Sequence, residues 1–273
     1  MLAALIIVFR EVFEAGLIVG IVLAVTSAVP HRLRWIGAGL FAGLAGACVV
    51  AGSLTQLFEG MGQELFNAAI LTTAVVMLTW HNVWMARHGR EMASELRTMG
   101  QAVAEGARPL VALATVIAIA VLREGSEVAL FLYGVAATGD GGGRALLGGG
   151  VIGLLLGVTV CLTTYFGLMR IPPRALFRTT TVLITLLSAG MAAQAVFFLA
   201  RANWLTTFDQ VLWDSSAVLP ERGVAGRTLK ALIGYTDQPT AMQLMVYVGV
   251  IAATIALMRL TAMPPAPRIA AAE

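Results

Sequence analysis

The sequence has few charged residues and no long polar stretch. Asp, Glu, Lys and Arg make up 12% of its 273 residues, against about a quarter in soluble proteins. Apolar residues make up 59% of the chain, and the mean hydropathy is +0.86. A soluble protein of this length could not bury that much apolar surface. The composition therefore predicts an integral membrane protein with a single membrane domain over residues 1–273.

Other absences exclude further classes of protein. The basic residues form no stripe with interleaved aromatic residues, so the charge of +3 does not indicate nucleic-acid binding. The two cysteines, Cys48 and Cys161, lie in apolar stretches, where cysteine normally packs as a small apolar side chain. No nucleotide-binding motif is present. We therefore expect that the chain itself does not hydrolyse ATP. We also expect a protein that is not an enzyme and has no permanently bound cofactor.

Seven stretches have the length and apolarity that a helix needs to cross a bilayer. They cover roughly residues 3–29, 35–58, 65–86, 110–137, 145–168, 176–200 and 242–260. The predicted fold is all-α, with seven transmembrane helices. In the connector 87–109, apolar residues recur at helical spacing, which predicts an amphipathic helix on the membrane surface. We expect the mixed segment 201–241 to fold over one membrane face.

Arginine is distributed unevenly among the short connectors. Residues 30–34, 87–109 and 169–175 are rich in arginine, whereas 59–64 has none and 138–144 has a single one. Because basic connectors stay in the cytoplasm, this alternation predicts an N-terminus outside and a cytoplasmic C-terminus. Compact size and short loops favour the inner membrane of a bacterium.

The first six predicted helices contain an internal repeat. A motif that begins at Arg10 recurs at Arg123, and the pair Gly39 and Gly43 recurs at Gly149 and Gly153. The predicted units are repeat A (1–86) and repeat B (110–200), followed by an external loop and a seventh helix (201–273). Since each unit has three helices, the two copies must enter the membrane from opposite sides, as in many secondary transporters.

The repeated motif places charged residues in the middle of two apolar helices. It reads Arg10-Glu11-Val12-Phe13-Glu14 in the first copy and Arg123-Glu124-Gly125-Ser126-Glu127 in the second. Each such charge costs about 2.5–3.5 kcal/mol at the bilayer centre. Helical spacing puts both glutamates of a motif on one face and lets each arginine reach the glutamate one helical turn later.

If the two helices face each other, four carboxylates and two guanidinium groups meet with a net charge of −2. We therefore predict a metal site of Glu11, Glu14, Glu124 and Glu127, with Arg10 and Arg123 balancing charge. Oxygen ligands suit hard cations, including iron, manganese, magnesium and calcium. Salt bridges that only stabilise the fold are the alternative, but these would leave no surplus of negative charge.

Four further residues are weaker candidates for metal contacts. Glu59 and Glu64 lie at the predicted outer ends of helices 2 and 3, where they can attract cations or simply be solvated. Asp214 in the external segment can contact a partner or a metal. His81 lies near the predicted inner end of helix 3, where we expect a hydrogen-bonded structural histidine, with a metal ligand at an inner exit as the alternative.

The two Arg-Glu-x-x-Glu motifs, in the first and fourth of seven predicted helices, resemble the Arg-Glu-Gly-x-Glu motifs of the oxidase-dependent iron transporter family. This family includes fungal high-affinity iron permeases and the permease of the bacterial Efe iron-uptake system. The similarity extends over nearly the whole chain, through Thr79-Trp80, Trp84-Met85, Ala189-Gly190, Trp213-Asp214-Ser215-Ser216, Gly234-Tyr235 and Pro239. It implies iron as the transported substrate and the four motif glutamates as its site. Separate extracytoplasmic oxidase, peroxidase or iron-delivery proteins would be the partners.

The sequence departs from the family pattern at two positions. Val12 replaces the glycine of the first motif, which puts close helix approach there in question. Asn67 replaces a second glutamate after Glu64, so any contribution to an outer metal site would come from a neutral carbonyl oxygen.

The residues alone predict a hard cation as the transported substrate, whereas the assignment of that cation as iron depends on the family resemblance. A transporter of lead, manganese or protons is one alternative. An intramembrane di-iron enzyme is another, although such sites usually have Glu-x-x-His and neither motif does. A membrane subunit without a transport role is the third.

Overall fold

The computed structural model describes residues 1–57, 62–137, 142–167, 173–205 and 207–261. The described chain is helical, with one isolated β-bridge between Val211 and Thr240. Its helices are α1 (Leu2–Val25), α2 (Arg32–Leu57), α3 (Gln63–Ala104), α4 (Val111–Ala137), α5 (Gly143–Tyr165), α6 (Pro173–Arg201), α7 (Val224–Ile233) and α8 (Ala241–Thr261).

Five of these helices, α2, α3, α5, α6 and α8, contain stretches long and apolar enough to cross a membrane. Their exposed side chains include many large apolar ones, such as Phe41, Leu147 and Leu260. Helices α1 and α4 have sufficient length, at 24 and 27 residues, but each carries the three charges of a motif. The all-helical membrane class is confirmed. The number of seven spans and the orientation stay predictions.

Helix α3 differs from the sequence prediction. A membrane helix over 65–86 and a separate surface helix were expected, but one helix of 42 residues runs from Gln63 to Ala104. The apolar side of its second half packs against protein, because Leu96 and Val103 are buried with Ile18 of α1 and Ile117 of α4. The extension therefore lies across the ends of α1 and α4.

The predicted repeats make matching helix contacts. Helix α2 packs along α4, and α5 packs along α1. A Cβ on Gly39 would lie 2.5 Å from the Ala114 carbonyl oxygen, and a Cβ on Gly153 would lie 2.5 Å from the Leu5 carbonyl oxygen. Gly43 and Gly149 approach the carbonyl oxygens of Ala118 and Met1 in the same way. The contacted residues also occupy equivalent positions in the two repeats. Met1 and Leu5 lie nine and five residues before Arg10, and Ala114 and Ala118 lie nine and five residues before Arg123.

The departure at Val12 is compensated across the helix interface. Val12 lies against Gly157 of α5, where an added Cβ would be 2.8 Å from the Val12 side chain. In the other repeat, Gly125 lies against Ala47 of α2, and the corresponding distance is 2.7 Å. In the first repeat the motif helix contributes the larger residue, Val12, and in the second repeat the packing helix α2 contributes it, Ala47. Helix approach is therefore close at both motifs.

The segment between α6 and α8 packs against the bundle. Gly234 ends α7 with a positive φ of 70° and lies directly on Gly190 of α6, where neither position has room for a Cβ. Tyr235 donates a hydrogen bond to the Leu219 carbonyl at 2.9 Å, and its hydroxyl lies 2.6 Å from that of Ser215. Buried Ala231 joins the same apolar core as Met191. The segment thus covers the end of the bundle where α1 begins.

Candidate metal site

Both charged motifs lie where α1, α3 and α4 contact one another. The spacing within each motif puts its two glutamates on one face of their helix, as the sequence predicts. Glu11, Glu14, Glu124 and Glu127 are all buried, as is Arg10. Four carboxylates are therefore held inside the protein.

The predicted ion pairs within each motif are present. Arg10 Nε lies 2.8 Å from Glu14 Oε1, and Arg10 Nη1 lies 3.4 Å from Glu11 Oε1. In the second motif, Arg123 Nε donates to Glu127 Oε1 at 3.2 Å. Each arginine thus partly neutralises the glutamate one helical turn later.

The two arginines have different surroundings. The Arg10 side chain is 2% exposed, whereas that of Arg123 is 34% exposed. The guanidinium group of Arg123 lies over the Trp84 ring at 4.2 Å, in a cation–π contact. The two motifs are therefore equivalent in sequence but differ in how far the protein buries their arginines.

His81 of α3 lies between the two motifs. Its Nδ1 is 2.5 Å from Glu127 Oε2, and its Nε2 is 3.1 Å from Glu14 Oε2. The sequence predicts His81 near the inner end of helix 3 without linking it to the motif glutamates, and the structure puts it among them. The available signal was an ionisable side chain inside an apolar membrane helix, which points to function by default.

Four of these side chains form a group suited to a metal ion. One ligand atom from each of Glu11, His81, Glu124 and Glu127 lies within 4.8 Å of the others. Glu14 is outside this group. Carboxylate and imidazole ligands bind metals at about 2.0–2.2 Å, so a bound ion would require a rearrangement in which the close contact of His81 with Glu127 opens and the other ligand atoms draw together.

Two carboxylate oxygens in the group lack a cationic or hydroxyl donor. Glu11 Oε2 and Glu124 Oε2 are buried, and no such donor within the described ranges reaches either of them. A buried charged oxygen without a partner is costly. These atoms are therefore candidates for contact with a cation.

The predicted outer residues lie outside this group. Glu59 falls outside the described residues. Glu64 pairs with Arg201 at 3.1 Å, and Asn67 accepts a hydrogen bond from Gln63 at 3.3 Å. Their roles in recruiting cations stay predictions.

Asp214 has local partners in the exposed segment before α7. It accepts hydrogen bonds from Ser216 N and Gln238 Nε2, both at 2.9 Å. The hydrogen bonds from Ser216 lower the pKa of Asp214. Asp214 therefore joins two parts of this segment, and a contact with a metal or partner stays a prediction.

Comparison with known proteins identifies the family. The model of the iron permease FTR1 family matches residues 1–264. The ferrous iron permease EfeU of Escherichia coli O6:H1 is 30% identical over 254 residues, covering 90% of this chain and 91% of the relative. EfeU of Shigella sonnei is 30% identical over 273 residues, covering 97% and 96%, and that of Yersinia pestis is 28% identical over 255 residues, covering 90% and 89%.

No solved structure matches the chain. The matching family and the named relatives are permeases. With its apolar membrane-spanning helices, the chain belongs to the iron permease FTR1 family and is a membrane transporter rather than an enzyme.

Proposed function

We propose that this permease moves ferrous iron across the bacterial inner membrane into the cell, through a site lined by Glu11, Glu14, Glu124 and Glu127. The observation that carries the proposal is the convergence of these four buried carboxylates from two repeated motifs. The ferrous form is taken from the relatives, which are ferrous iron permeases by name.

The charge of the cluster supports a divalent substrate. Four carboxylates and two guanidinium groups sum to −2 when the imidazole is neutral. Buried charge is costly unless it is paired, and a divalent ion would neutralise the surplus. Iron is thus the transported substrate and not a resident cofactor.

The proposed architecture has seven spans, with α1 and α4 crossing the membrane beside the five more apolar helices. Five of their six charged motif side chains are buried within the protein, which makes both helices compatible with lipid around the bundle. The matching contacts of α2 with α4 and of α5 with α1 support an inverted repeat. Transporters of that kind expose a midplane site alternately to the two sides.

In this architecture the segment before α8 faces the outside. An extracytoplasmic oxidase, peroxidase or iron-delivery protein would present iron at this face of the bundle. Because α7 packs on α6 and α1, such a partner would meet a folded surface there.

The test is ferrous iron uptake into vesicles that contain the purified protein. Glu11→Gln and Glu124→Gln remove a charge while preserving size, so we expect each to reduce uptake more than about tenfold, which corresponds to about 1.4 kcal/mol. Glu95→Gln on the exposed side of α3 is the matched control and should transport normally.

The outcomes separate site from substrate. Unchanged uptake by both motif variants would contradict the assigned site. Carboxylate-dependent transport that favours manganous, lead or ferric ions over ferrous ions would retain the site and replace the proposed substrate. Imposing a pH gradient in the same vesicles tests for coupling to protons.

A further inference from the structure

We propose that His81 binds the transported metal through Nδ1, together with Glu11, Glu124 and Glu127, while Glu14 positions the imidazole. The inference rests on the proposed function and deepens it. It replaces a symmetric site of four carboxylates with an asymmetric site that favours divalent transition-metal ions over magnesium and calcium.

The two nitrogens of His81 have different surroundings. Nδ1 faces Glu127, and both residues offer a ligand atom to the group whose atoms lie within 4.8 Å of one another. Nε2 lies 3.1 Å from Glu14 Oε2, on the other side of the ring. A metal-bound histidine usually donates its second N–H to a carboxylate or carbonyl, which orients the ring. Glu14 is in the position to accept that hydrogen bond.

Glu14 is itself held in place. Its second oxygen, Oε1, lies 2.8 Å from Arg10 Nε, and both side chains are buried. The chain of contacts from Arg10 through Glu14 to His81 therefore orients the imidazole toward the remaining glutamates. Glu14 is a positioning residue in this arrangement, although its carboxylate is chemically able to bind metal.

The sequence repeat makes this division of roles unexpected. Glu14 and Glu127 close their motifs at equivalent positions, and a carboxylate-only site would use them alike. His81 has no equivalent imidazole, because the alignment that pairs Leu65 of α3 with Leu176 of α6 pairs His81 with Ala192. His81 therefore gives the two glutamates different roles. Glu127 lies on the Nδ1 side among the ligands, and Glu14 lies on the Nε2 side, where it orients the ring.

The donor set determines which ions bind well. Magnesium and calcium favour oxygen ligands, whereas imidazole suits iron and other first-row transition metals. Three carboxylates and one imidazole therefore discriminate in favour of ferrous iron better than four carboxylates would. His81 is the specificity-determining residue on this assignment.

The direct test uses Mn²⁺ as a paramagnetic probe on the purified full-length protein. Electron spin-echo modulation detects ¹⁴N bound to Mn²⁺, and we expect that signal in the wild type and in Glu14→Gln but not in His81→Gln. His88→Gln, on the same helix, is the matched control and should retain the signal. A His31→Gln, His88→Gln variant retains His81 as its one histidine. Labelling histidine with ¹⁵N in this variant should change the nitrogen coupling to Mn²⁺, which tests His81 without altering it.

The results distinguish this inference from the proposed function. Bound Mn²⁺ without nitrogen coupling, or coupling that persists in His81→Gln, would overturn the role of His81 and leave a carboxylate site. Wild-type protein that binds no Mn²⁺ at the motif glutamates would instead overturn the proposed site.

Glu14 and Glu127 provide a second, matched comparison. Loss of a residue that orients a ligand typically costs about 10–100-fold in metal affinity, so Glu14→Gln should weaken Mn²⁺ binding by that amount. Glu127→Gln removes a ligand and should weaken it further. Equal losses would contradict the asymmetric site. Mg²⁺ should compete more strongly with ferrous uptake in His81→Gln than in the wild type, and unchanged competition would contradict the role in specificity.

Discussion

Arg10 and Arg123 occupy equivalent motif positions but differ in how much they are buried. Arg10 is almost fully enclosed and contacts both glutamates of its motif. Arg123 is one-third exposed and lies over Trp84. The stability of the protein should therefore depend on the two arginines unequally.

We expect Arg10→Met to destabilise the protein by about 3–5 kcal/mol, because it leaves a buried carboxylate without its cation. Arg123→Met should cost less, since that side chain is only partly buried within the protein. Thermal unfolding of the purified variants in one detergent measures the difference. Equal decreases in melting temperature would contradict the prediction that the more buried arginine contributes more to stability.

Helical spacing makes the motif ion pairs predictable from sequence, whereas the position of His81 is not. Arg10 and Glu14 lie one helical turn apart on one helix, so their contact follows from local geometry. The contacts of His81 depend on the height and rotation of α3 relative to α1 and α4. Those quantities are set by packing among three helices, and no local pattern around His81 encodes them.

At the scale of helices, close packing at the motifs depends on pairs of small residues. Gly125→Ala would place a Cβ about 2.7 Å from the Ala47 Cβ. We expect this substitution to cost about 1–3 kcal/mol, as overpacking typically does. Adding Ala47→Gly should restore most of the stability, because Ala47 is the neighbour that the new methyl group meets.

The measurement is a double-mutant cycle by thermal unfolding, with ferrous uptake as a second readout. Independent effects of Gly125→Ala and Ala47→Gly would contradict the direct contact. Gly148→Ala on α5 is the control, because a Cβ there meets nothing within 4 Å.

Hydropathy predicts the membrane helices to within a few residues but does not predict how far α3 continues. Its membrane part was expected over 65–86, and the helix extends to Ala104 because no proline interrupts it before Pro109. The polar second half gives no signal for a membrane span, although it forms the same helix. Helix α7 was also missed, since its docking depends on the distant contact between Gly190 and Gly234.

For the whole molecule, the cluster is closed toward the end covered by α7. Ile7, Leu78 and Phe131 lie one helical turn from Glu11, His81 and Glu127, and all three are completely buried in one apolar core. An ion that enters from this end must displace this layer. Since close-packed layers change between discrete arrangements, alternating access would require movement of α1, α3 and α4 relative to one another.

The remaining prediction concerns which end of the bundle faces outward, and labelling of single cysteines in intact cells tests that orientation. In a background with Cys48 and Cys161 replaced by serine, Val218→Cys lies in the segment before α7 at a residue that is 89% exposed. Ser94→Cys lies on the exposed side of the α3 extension. With the N-terminus outside, three spans separate these positions. A membrane-impermeant maleimide should therefore label Val218→Cys in intact cells and Ser94→Cys only after lysis. The reverse pattern would invert the orientation, and labelling of both in intact cells would contradict an odd number of spans between them.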